Sequence, residues 1–201
     1  MKRIQLFGFI ALSLLIFSCA LPKYSIVYES PKGLDLRTGK WLVNSVGNRL
    51  SLADKHYYGD RIVQGFQKMG VDSIDLVGNV WFDYITPDRF QFEISEETLQ
   101  LLQKTTDYDF ILNVKASIIK DEVSSLMLLP PDKKSSSTSE LIIVVYDINS
   151  GQKIYHQRIV GTIAVSETDN DVRFAKSAAG LLNGALNRGL KEIEEYAAVN
   201  K

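Results

Sequence analysis

The run LIIVVYDINSGQKIYHQRIVGTIAV, residues 141–165, decides how this chain folds. Leu141 to Ile148 is rich in β-branched residues and reads as a strand. Asn149-Ser150-Gly151 reads as a hairpin turn in which Gly151 supplies a positive φ. Lys153 to Val165 reads as the returning strand. Ile154, His156, Arg158 and Val160 alternate there with Tyr155, Gln157, Ile159, Gly161, Ile163 and Val165, so the two sets take opposite faces of a sheet.

Outward from the hairpin, the pattern changes period. From about Asp171 to Ala197 the residues Val172, Ala175, Ala179, Leu182, Leu186, Leu190, Ile193 and Ala197 keep a 3–4 spacing, which predicts a long C-terminal helix. Gly180, Gly184 and Gly189 each cost such a helix about 1 kcal/mol against alanine. Two readings account for them: close approach of the helix to the sheet, or a helix–helix interface with a partner chain. On the other side of the hairpin, Asp109 to Asp121 reads as a central strand. Between the two lie Leu126-Met127-Leu128-Leu129, two prolines, and a serine-rich polar stretch. Residues 130–139 are therefore expected to be a mobile loop.

Further upstream, Trp41 to Gly47 reads as the first core strand. Tyr58, Ile62, Phe66 and Met69 share one face of a helix beginning near Leu52 or Asp54 and stopped by Gly70. Ser73 to Val80 reads as a second strand. The aromatic-rich segment Trp81, Phe82, Tyr84, Phe90 and Phe92 follows, with Phe90, Phe92 and Ile94 alternating as a short strand would. Ser95 is a good N-cap, with Glu96 and Glu97 in a first turn where the helix dipole favours them. The order predicts an α/β fold: a single mixed sheet with helices packed on it and a long C-terminal helix.

The N-terminus carries a different message. Lys2 and Arg3 precede an apolar run from Ile4 to Phe17 that ends at Ser18-Cys19, the layout of a cleaved signal peptide over residues 1–18. A run of ~14 residues falls short of the ~20 needed to span a bilayer. Cys19 is the only cysteine. Residues 19–40 read as a short tether, in which Ser25 to Tyr28 suits a brief strand, and residues 41–201 as one domain. Loss of Lys2 and Arg3 leaves 21 basic residues against 24 acidic ones. That balance gives no basic surface for nucleic acid. With Cys19 modified, no thiol remains for a disulfide, a metal or a nucleophile.

Two resemblances follow from these residues. Ile16-Phe17-Ser18-Cys19 resembles the lipobox of bacterial lipoproteins, with Phe17 larger than usual at its position. The resemblance implies cleavage before Cys19, diacylation of its sulfur and acylation of its new amino group. Ala20, in place of the aspartate that retains enteric lipoproteins in the inner membrane, implies the outer membrane, facing the periplasm. Asp107-Tyr108-Asp109-Phe110-Ile111-Leu112 and the hairpin Asp147 to Ile154 are similar to signatures of small periplasmic lipoprotein domains with the anticodon-binding-domain-like fold. That group includes activators of penicillin-binding proteins, the curli secretion lipoprotein and the N-terminal domain of the Tol-system propeller protein. It implies protein binding and no chemistry.

The side chains available for chemistry are few. There is no Gly-rich phosphate loop, GxSxG or HExxH. Asp54, His56 and Asp60 lie close together and either begin a metal site or, more simply, cap and solvate a helix start. His156 beside Arg158 reads as a half-exposed strand histidine. Glu96 and Glu97 diverge by ~100° around a helix and form no catalytic pair. No metal or cofactor is expected. The candidate interaction surface is Leu126, Met127, Leu128 and Leu129 with Trp81, Phe82 and Tyr84, because exposed apolar runs and aromatics mark binding surfaces; the alternatives are a strand end for Leu126 to Leu129 and core packing for the aromatics. The sequence leads to a non-enzymatic, membrane-anchored envelope lipoprotein that acts as a protein-interaction, assembly or regulatory module beside another envelope protein. The alternative is a periplasmic binder of a small ligand or glycan, which would place a deep aromatic-lined pocket around Trp81 to Phe92.

Overall fold

The hairpin forms as its alternation requires. In a computed structural model describing residues 21–30, 34–48, 51–122, 134–166 and 177–199, β5 (Lys134–Asp147) and β6 (Gln152–Ser166) pair antiparallel from Lys134↔Ser166 to Asp147↔Gln152. Gly151 takes φ +67° in the turn. Around this pair the sheet extends to six strands in the order β1-β6-β5-β4-β2-β3, with β1 (Lys23–Ser30), β2 (Trp41–Asn48), β3 (Ile74–Leu76) and β4 (Phe110–Asp121). β3, β2 and β4 run parallel; the remaining pairings are antiparallel. The fold is α/β, a single mixed sheet with helices on both faces and a long C-terminal helix.

Each helix has an identifiable start. Helix α1 (Leu52–Lys68) opens on a capping box: Ser51 Oγ accepts from the Asp54 amide, and the Asp54 carboxylate accepts from the Ser51 amide. It stops where Gly70 turns to φ +94°. Helix α2 (Glu96–Thr105) is capped by Ser95, whose Oγ accepts from the Thr98 amide. Helix α3 (Ala178–Val199) packs beside α1.

The main core lies between the sheet and α1 and α3. Trp41, Val43, Leu112, Val114, Leu141, Ile143 and Ile159 from the strands meet Tyr58, Ile62 and Phe66 of α1 and Leu182, Leu186 and Ile193 of α3. Gly184 and Gly189 of α3 mark close approach to the sheet. A Cβ on Gly184 would collide with the Tyr24 Oη of β1, and one on Gly189 would lie 2.9 Å from Ile159 Cδ1. The second face carries a smaller core: Leu42, Ile111 and Ile148 under Leu99 and Leu102 of α2, with Ile85, Phe90, Ile94 and Tyr108.

Four expectations need correction. Residues 19–40 are not all tether. Lys23–Ser30 is the edge strand β1, and Leu34 and Leu36 are buried in the main core. The strand is held because Gly161 and Gly184 leave a slot for Tyr24, whose ring also receives Arg188 at 4.5 Å. Residues 134–139, within the expected mobile loop 130–139, continue β5, and Ser135, Ser137 and Ser139 are buried. At the start of α3, Ser139 Oγ donates to the Ala178 carbonyl at 2.7 Å. Strand β3 has three residues and gives way to a 3₁₀ turn, Val77–Asn79. Residues 90–94 form no strand, because side-chain amides take the place of a neighbouring strand there. The start expected for the last helix, 171–176, and residues 130–133 lie outside the described residues.

Candidate interaction surface

The connection from β3 to α2 crosses the second face of the sheet, and two asparagines fasten it. Asn44 and Asn113 are paired across β2 and β4 and are both buried. Asn44 Nδ2 donates to the carbonyls of Phe90 and Gln91 at 3.1 and 3.3 Å. Asn113 Nδ2 donates to the Phe92 carbonyl at 2.7 Å. Lys115 lies over the Phe92 ring at 5.3 Å. A buried carbonyl without a donor costs about 1–3 kcal/mol. Asn113→Ala is therefore expected to lower stability by about 1–3 kcal/mol. Because Asn44 holds the same segment, the double alanine variant should lose less than the two single losses together, measured by urea unfolding.

On this frame the candidate aromatics separate. Phe82 packs on Phe90, with ring centroids 5.1 Å apart, and belongs to the second core. Trp81 and Tyr84 stand out from it, 88% and 72% exposed. The Trp81 indole N–H donates to the Asp83 carboxylate at 3.2 Å. An indole of that exposure is one of the larger apolar groups the described residues leave to solvent. Leu126, Met127, Leu128, Leu129 and Cys19 lie outside the described residues.

The polar candidates do not converge. Asp54 is committed to the capping box, while His56 and Asp60 stand exposed on α1. Among the described residues, no group of three or more His, Cys, Asp or Glu side chains is placed to hold a metal ion. His156 is half-buried on β6, and its neighbour Arg158 pairs with Glu140 of β5 at 2.6 Å. Glu97 pairs with Arg89 at 2.7 Å, and Glu96 accepts from Gln100, so both serve the start of α2. Two phenols on this face of the sheet are perturbed. Burial, and then donation to Asp75 at 2.8 Å, pushes Tyr108 well above the usual phenol range. Burial, and then the charge of Glu93, raises Tyr146.

A cleft of about 390 Å³ opens between α2 and the hairpin turn, lined among others by Leu99, Gln103, Tyr146, Ile148 and Asn149. Gln103 Nε2 donates to the Asn149 carbonyl beside it. This cleft is not the aromatic pocket around Trp81 to Phe92 that a glycan binder would need. Sequence reasoning missed the paired asparagines, whose signal was a polar residue at the same register in two otherwise apolar strands. It also missed the extent of β1, signalled only by the alternation Tyr24, Ile26.

No helix among the described residues is long and apolar enough to cross a membrane, which says nothing of β-barrels. No protein-family model matches the chain. No curated protein matches it in sequence. Among solved structures, the PelC dodecamer from Paraburkholderia phytofirmans superposes with a TM-score of 0.51 at 8% identity, over 86% of this chain and 98% of that one. Lipoprotein GNA1162 from Neisseria meningitidis superposes at 0.38 with 12% identity, over 79% of this chain and 99% of that one. At that overlap the second likeness carries no argument, and at 8% identity the first shows the fold alone: this chain has the fold of the PelC subunit.

Proposed function

We propose that the chain is a lipid-anchored envelope protein, acylated on Cys19 and held at the outer membrane, whose domain works without chemistry as an assembly module. This reading keeps it beside the anticodon-binding-domain-like lipoproteins that its hairpin and its β4 start resemble. The observation that carries it is β1. This strand is an edge of the sheet, it follows directly on the anchor, and Val27 at its middle is 51% exposed. An edge strand presents free backbone donors and acceptors to another chain, and strand addition is a common mode of protein recognition. PelC, which shares the fold, forms a dodecamer, so a second copy of this chain is one candidate occupant of the edge.

The test places a photo-crosslinking residue at Val27 in cells and identifies the adducts. A reproducible adduct with one envelope protein, or with the chain itself, supports the reading. A control position at Asn149, in the hairpin turn away from the edge, should give none of it. Equal yields at both positions, or no reproducible adduct at Val27, would count against an interface at this edge.

A further inference from the structure

Four exposed apolar side chains, Leu21, Leu52, Trp81 and Ile119, lie toward one end of the sheet, apart from Val27 at the middle of β1. Register fixes that end. Lys23 of β1 pairs with Thr162 of β6, which pairs with Thr138 of β5, which pairs with Lys120 of β4. These residues share one level, beyond which β5 and β6 continue for four residues to the Lys134↔Ser166 pair. Leu21, two residues before Lys23, is 81% exposed, and Ile119, beside Lys120 at an irregularity in the β4–β5 pairing, is 50% exposed. Strand β2 runs parallel to β4 and reaches Asn48 opposite Ser117 at the same end. Helix α1 begins there with Leu52, 72% exposed. His56, one turn into α1, touches the space above Gly78, and this brings the connection bearing Trp81 to the same end. The opposite end, level with Trp41, Phe110 and Asp147, carries exposed Asp35, Arg37, Asp107, Asn149 and Gln152.

The chain length outside the described residues says what this end meets. Lys23 follows Cys19 by four residues, a reach of at most about 14 Å. We propose that Leu21, Leu52, Trp81 and Ile119 form a bilayer-facing end, which seats the domain upright in the lipid interface with the hairpin turn pointing away. The proposal rests on acylation of Cys19. Tryptophan suits this place because its ring is apolar and its N–H is wet, and interfacial belts are enriched in it. From Thr138 to Asp147 the hairpin rises about 30 Å at ~3.3 Å per residue. Its turn should therefore stand clear of the headgroups.

The chain's two tryptophans supply the probe, because Trp41 is fully buried and Trp81 is exposed. The full acylated protein is placed in vesicles of phosphatidylethanolamine and phosphatidylglycerol, with and without brominated acyl chains. Flotation with the vesicles reports the anchor. Quenching of tryptophan emission reports Trp81, and Trp81→Phe should abolish the quenchable component. A fluorophore on a cysteine introduced at Thr162 should be quenched, and one at Ser150 should not. Protein that floats with Trp81 unquenched, or with Ser150 quenched as strongly as Thr162, overturns the orientation and leaves the anchor standing. Protein that does not float overturns both.

Discussion

Replacing Trp41 by alanine is expected to lower the stability of the domain by about 3–5 kcal/mol, the range for removing a large aromatic from a packed core. Trp41 is fully buried at the start of β2, 4.5 Å in ring-centroid distance from Phe110 and 5.5 Å from Phe66. It joins three elements: its amide donates to the Ser73 carbonyl at 2.8 Å, and its strand pairs with β4 through Phe110 and with β3 through Ile74. No described element can close over the void without moving the others. A loss of that size is a fifth or more of a typical stability of about 5–15 kcal/mol. The urea midpoint, followed by circular dichroism, should fall at unchanged slope. Trp41→Phe should behave differently. The indole Nε1 is buried without a hydrogen-bond partner, so phenylalanine loses area but also removes an unsatisfied donor. Its cost should be about 1 kcal/mol, and an alanine-like loss in the phenylalanine variant would show that ring size rather than burial of the N–H governs the site.

What the sequence made legible follows from periodicity. Alternation over residues 153–165 and the 3–4 spacing of Tyr58, Ile62 and Phe66 are strong patterns, and the structure realises them as β6 and α1. The serines at 135–139 misled because polarity ordinarily signals a solvated loop. Here they continue β5, and Ser139 donates to the Ala178 carbonyl at the start of α3, a tertiary contact that local composition does not carry. Phe90, Phe92 and Ile94 misled in the opposite sense. Their alternation is real, but the partner of that backbone is a pair of asparagine side chains rather than a strand. The candidate surface was half legible. Exposed Trp81 and core Phe82 are adjacent aromatics, and only the fold separates them. Leu21 and Leu52 carried no signal, because each looks like an ordinary apolar residue until its end of the sheet is known.

Cys19→Ala is expected to move the protein from the membrane pellet to the soluble fraction. The expectation is energetic. One acyl chain of myristoyl size binds a bilayer with a constant of roughly 10⁴ M⁻¹, and a second chain adds its free energy and turns marginal binding into stable anchoring. The four side chains of the proposed bilayer-facing end, only partly immersed, contribute less. Full burial of a large apolar side chain is worth about 1.5–3 kcal/mol, and at an interface these residues are only partly immersed. They can orient a protein that acyl chains already hold, but they do not retain one. An uncleaved leader is the one competing anchor, since loss of Cys19 also removes the cleavage signal. A second variant settles that point: a cleavable leader without a lipobox replaces residues 1–19, so that the chain begins at Ala20. It should be fully soluble, folded and unlabelled by a fatty-acid probe. Retention of this second variant in the membrane would overturn acyl anchoring, because only the domain itself would remain to hold it there.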